Sequence, residues 1–93
     1  MTNKQFISVW DAIEDTPQKA ENMRLRSSLM MALKDHMIRK GLTQTQAAQT
    51  FAVTPMRVSD LLNGKVNLFA LDALVNMAVA AGLQIEIQIR DAA

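Results

Sequence analysis

Leu42–Gly64 reads LTQTQAAQTFAVTPMRVSDLLNG. Two short runs of helical spacing flank Ala52-Val53. Thr43 opens the first run, with Gln44 to Phe51 as its body. Thr54-Pro55 opens the second, which continues through Leu62. A threonine hydroxyl can cap the free amides of a first turn, and proline fits the first helical position. Asn63-Gly64 is a stop signal. Ala47, Ala48 and Phe51 have the spacing of one buried side, and Val58, Leu61 and Leu62 that of another. What remains is polar: Thr, Gln, Ser and Asn with one Arg and one Asp. The question is why a short helix after a tight bend carries so many hydrogen-bonding side chains.

Upstream, Thr16-Pro17 repeats the cap-and-proline signal and starts a long helix that reaches Lys40. Met23, Leu25, Leu29, Ala32, Leu33 and Met37, with Met30 optional, recur at three- and four-residue steps and are expected to line its inner face. Arg39 and Lys40 suit its negative end, and Gly41 ends it. Before it, Ser8-Val9-Trp10-Asp11 has the form of a capping box, so 8–14 reads either as a short helix or as an extended arm. Downstream, Lys65-Val66-Asn67 is a loop. A further helix begins at Leu68 or Ala70, is expected to bury Leu71, Leu74, Val75, Ala78 and Val79, and ends at Gly82. The period then changes. Leu83, Ile85, Ile87 and Ile89 alternate with Gln84, Glu86, Gln88 and Arg90, the pattern of a half-buried strand. A lone strand needs a mate, either the N-terminal arm or the same strand of a second subunit.

The 93 residues suit one small domain, 1–93, with an arm at 1–15 and a strand at 83–90. The chain holds three Phe and one Trp, so aliphatic side chains and seven Met must build the core. Without cysteine there are no disulfides, thiol nucleophiles or thiolate metal sites. His36, the one histidine, is expected at the surface or as a satisfied edge residue, so no metal or other cofactor is expected. No nucleophile–base pair or metal cluster stands out, which argues against an enzyme. No apolar run is long enough to span a membrane, and MTNKQFISVWDAIED lacks the pattern of a secretion signal. A cytoplasmic protein is the expectation.

The net charge is +1, but it is unevenly spread. Residues 1–22 and 67–93 are each acidic. Residues 23–66 carry Arg24, Arg26, Lys34, Arg39, Lys40, Arg57 and Lys65 against only Asp35 and Asp60. A basic centre attracts polyanions, and neutralising phosphate is the main source of sequence-independent DNA affinity.

Two short helices joined by a tight turn form a helix-turn-helix. Counting from Gln44, the fifth residue is Ala48, small enough for the two axes to approach. The ninth is Ala52, in the turn, where glycine is usual because positive φ is often needed. Val58 and Leu61 pack the second helix on the first. The run L-T-Q-x-x-x-A-x-x-x-x-V-T-x-x-x-V-S-x-L-L-N-G resembles the lambda-repressor and Cro-like (XRE-type) regulators without a gap, over about 16–82. The resemblance implies a mainly α fold. Four or five helices are expected in a lambda-repressor-like bundle, with one C-terminal strand paired across a dimer. Ala52 in place of Gly departs from the family pattern.

The second motif helix would then lie in the major groove of double-stranded DNA. Pro55, Met56, Arg57, Ser59 and Asp60 include its outward positions. Arg57 is the strongest candidate base reader, because guanidinium can bond guanine O6 and N7 together. Met56 suits a thymine methyl. Asp60 would either orient Arg57 or accept from cytosine N4, and would repel phosphate. The family often has Gln where Pro55 stands, and proline cannot donate. Gln44 resembles a phosphate-bonding residue of the family. Thr43, Thr54, Asn63 and Lys65 are further phosphate candidates, with capping as the plain alternative for the two threonines. Arg24 and Arg26 read as surface charges or subunit contacts.

FISVWDAIEDTPQKAENMRLRSSLM and LQIEIQI resemble the HigA-like antitoxin branch. That resemblance implies repression of the protein's own promoter and binding of a small ribonuclease toxin. Phe6, Ile7, Trp10 or Phe69 would serve such a toxin, unless Phe6 and Trp10 fold back on the core. Paired half-sites and the unpaired strand both imply a homodimer, with Leu83, Ile85, Ile87 and Ile89 in its interface. The competing reading is a protein-interaction module that neutralises a toxin without binding DNA.

Overall fold

The computed structural model describes residues 16–92. The arm 1–15, with Phe6, Ile7 and Trp10, lies outside them. Four α-helices follow in order: α1 Pro17–Arg39, α2 Gln44–Phe51, α3 Pro55–Leu62 and α4 Leu71–Ala80. A 3-10 turn, Val66–Leu68, lies between α3 and α4, where the sequence reading has a plain loop.

The ends of these helices are set by local chemistry. Thr16, Thr43 and Thr54 each sit in extended backbone, and each hydroxyl accepts from the amide three residues on. At Thr43 the exchange is reciprocal, because the Gln46 side chain accepts from the Thr43 amide at 2.8 Å. α4 is the exception, with Ala70 at its cap and no side-chain bond there. All four helices close alike. A left-handed residue follows the last turn, and its amide and the next bond back to the helix: Gly41 and Leu42 after α1, Gly64 and Lys65 after α3, Gly82 and Leu83 after α4. After α2 the left-handed residue is Ala52, at φ 58° and ψ 45°, with Ala52 N–H to Gln49 O at 3.3 Å and Val53 N–H to Ala48 O at 2.9 Å.

Phe51, Phe69, Leu33, Leu61, Leu74 and Val58 form the centre of the core. α1 packs on α4, and α2 packs on both α3 and α4. Ala47 and Ala48 are buried where α2 meets its neighbours, as their size suggests. The inner face of α1 is turned from the expected one. Met30, Leu33, His36 and Met37 are buried and Leu29 is half-buried, while Leu25 and Ala32 are exposed. Stripes one residue apart differ by about 100° around a helix, and contact with α4, with the Val66–Leu68 turn and with α3 together selects the stripe through 26, 30, 33 and 37.

Several other expectations are corrected. His36 is not at the surface: it is buried with its ring against Phe51, centroids 6.3 Å apart, and Nδ1 has no partner among the described residues. Phe69 is in the core and cannot offer a surface to a toxin. On α4, Met77 is buried and Val79 is exposed.

Among the described residues there is no β-strand. The alternating pattern survives only in part. Leu83 and Ile85 pack against the core, whereas Ile87 and Ile89 are 80% and 89% exposed. A strand requires a ladder of partner amides and carbonyls, and one copy of 16–92 offers this segment none. No described helix is long and apolar enough to cross a membrane.

Candidate nucleic-acid interface

Gln44 joins the two motif helices. Its Nε2 donates to the Pro55 carbonyl at 2.8 Å, so the start of α2 is tied to the first turn of α3. The amide keeps a second proton for an outside acceptor. Thr43 and Thr54 use their oxygens as cap acceptors, which leaves each hydroxyl proton free to donate. Capping and contact with an anion are therefore compatible.

On α3, Val58 and Leu61 point into the core and Leu62 is half-buried. Pro55, Met56, Arg57 and Asn63 are exposed, and Ser59 and Asp60 are half-buried. Met56 is 73% exposed, beside the amino end of the helix. Pro55, Met56 and Arg57 are thus on the outer side as expected, Ser59 and Asp60 only in part, and Lys65 lies exposed just past the helix end.

The exception is the Arg57 guanidinium, which turns back onto the protein. Its Nη1 donates to the Leu68 carbonyl at 2.9 Å, and its carbon lies 5.0 Å from the centroid of the Phe69 ring. Asp60 is 4.0 Å from Arg57 and 3.8 Å from Lys65, with its own side chain only 17% exposed. Asp60 therefore stands between the two cations rather than toward solvent. A hydrogen bond from a charged donor contributes about 1.5–3 kcal/mol, and a surface cation–ring contact about 0.5–1 kcal/mol. A bidentate guanine contact gives about 1–3 kcal/mol of discrimination. Freeing Arg57 to read a base therefore costs about 2–4 kcal/mol, as much as the contact returns or more.

Arg26 meets the same loop from the other side. It is half-buried on α1, and its Nη1 donates to the carbonyls of Val66 and Phe69, each at 3.3 Å. It is thus neither a plain surface charge nor free for a subunit contact. Its place was legible in one respect: Arg26 lies in the stripe Met23, Arg26, Met30, Leu33, Met37, so a cation falls on the face that turns inward. Arg24, by contrast, is at the surface and donates to Glu21 one turn earlier. That bond holds the Glu21 carboxyl below the usual carboxylate range.

The arrangement provides an exposed helix of suitable length, cap hydroxyls and amides at two helix starts, and a loop that opens with the exposed Lys65. These are the elements used to hold phosphate and present side chains to base edges. No curated protein matches the chain. Residues 12–90 match the helix-turn-helix domain family over its described fold and into the flanking arm. The chain belongs to that family, and is a DNA-binding regulator of the lambda-repressor and Cro-like type.

Proposed function

We propose that the protein is a sequence-specific repressor that grips an operator of paired half-sites as a homodimer in the cytoplasm. The exposed outer side of α3 carries this reading. Met56 and Ser59 would approach base edges there. Thr43, Gln44, Thr54, Asn63 and Lys65 would hold the phosphates on either side, with Pro55 setting the depth of approach. Two-fold symmetry would place a second α3 about 34 Å away, one turn along the duplex.

The segment 83–90 supports the dimer. Ile87 and Ile89 are bare in one copy and alternate with polar neighbours. Burying one such side chain yields about 1.5–3 kcal/mol, so four across a two-fold axis give roughly 6–12 kcal/mol. Association costs about 4–15 kcal/mol. The strands alone would make a marginal dimer, and apolar residues beside them on α1 and α4, including Leu25 and Val75, would have to join the interface.

The resemblance to HigA-like antitoxins extends the proposal to repression of the protein's own promoter and neutralisation of a small toxin. The test is a gel shift with DNA from upstream of the coding region at two salt concentrations, alongside sedimentation at micromolar protein. A retarded band that weakens steeply with salt, from a dimer, is expected. No shift on that DNA, together with tight binding to the product of the adjoining gene, would favour the toxin-neutralising module instead.

A further inference from the structure

We infer that Arg57 and Arg26 are a pair of positioning residues that brace the loop Lys65–Phe69 in the pose from which Lys65, with Asn67, meets DNA beside α3. The inference rests on the DNA-binding reading and assigns Arg57 a different task from reading a base. Three carbonyls of this loop, those of Val66, Leu68 and Phe69, accept from the two guanidiniums. One arginine comes from α1 and the other from α3, so the loop is held relative to both helices. Arg26 Nε has no acceptor among the described residues, and the oxygens that its side chain bonds among them are these two loop carbonyls. Phe69 anchors the far end, with its ring buried in the core and 5.0 Å from the Arg57 carbon.

With its carbonyls turned toward the arginines, the loop leaves the Lys65 and Asn67 side chains exposed to solvent. Lys65 is an ammonium and Asn67 an amide donor, and both suit phosphate oxygens. A mobile loop pays ordering entropy on contact unless it is already held. Two charged donors at its carbonyls remove much of that penalty before DNA arrives.

The test uses the full chain and duplexes selected by it from a randomised pool. Arg57→Ala and Arg26→Met are compared with the parent in three measurements: amide exchange, affinity for the selected duplex, and affinity for each of its single-base variants. Both substitutions are expected to speed exchange of the Leu68 and Phe69 amides at least tenfold while leaving α2 amides unchanged. Both should weaken binding about fivefold, by the same factor for every base variant. Arg57→Lys, which keeps a charged donor, should recover most of the protection and affinity. If Arg57→Ala relaxes preference at one base pair and leaves loop exchange unaltered, Arg57 is a base reader and the inference fails. It fails equally if Arg26→Met folds and changes neither exchange nor affinity. Should Arg26→Met not fold, the exposed Arg57 variants decide alone. If the parent selects no duplex at all, the DNA-binding reading itself falls and takes the loop's role with it.

Discussion

Ala52→Gly should make this protein more stable, although it deletes a methyl group from the middle of the binding motif. Ala52 is the one non-glycine residue with positive φ among those described, at 58°. A left-handed L-residue costs about 1–2 kcal/mol because Cβ crowds the carbonyl oxygen. Glycine removes that strain. It also gives the unfolded chain more freedom, which offsets about 0.4–1 kcal/mol. The methyl is exposed, so its removal opens no cavity. The net gain is about 0.5–1 kcal/mol, or about 2–8 °C in Tm for a domain of this size. Urea denaturation followed by circular dichroism should show a higher midpoint with an unchanged slope. Ala52→Val should move the midpoint down, since a branched Cβ tolerates this conformation less well. An unchanged or lower midpoint for Ala52→Gly would mean that the turn between α2 and α3 is not left-handed in solution.

Ala48 is buried on α2, so Ala48→Leu should cost about 1–3 kcal/mol by overpacking, seen as a lower denaturation midpoint and a matching loss of DNA affinity at assay temperature. Lys65→Ala should reduce the slope of log affinity against log salt by about one unit, measured by fluorescence anisotropy on a fixed duplex. Asp60→Asn should strengthen binding to every duplex by about 1 kcal/mol, the order of a short-range charge pair in a wet site, because the carboxylate beside Arg57 and Lys65 is removed. The same anisotropy assay checks it, and weaker binding would assign Asp60 a base contact. Ile87→Glu with Ile89→Glu should convert the proposed dimer to monomer in sedimentation at micromolar protein while leaving helical content intact.

The sequence by itself determined where α1, α2 and α3 start and where the helices stop, because those signals act over three or four residues; α4, which follows Ala70 with no side-chain cap, starts without such a signal. Thr16-Pro17, Thr43 and Thr54-Pro55 cap from their own side chains, and Gly41, Gly64 and Gly82 end helices through their own backbones. The motif core of Ala47, Ala48, Phe51, Val58 and Leu61 was legible for the same reason: helical spacing within one short element. Which of two neighbouring stripes on α1 turns inward was not, since both have helical spacing and only packing against α4, α3 and the loop between them chooses. The fate of Arg57 also depended on the tertiary structure. Its partners, Leu68 and Phe69, are brought within reach only when the loop folds back over α3. The tail follows the same logic, because an alternating pattern can announce a strand but a ladder needs a second strand beside it.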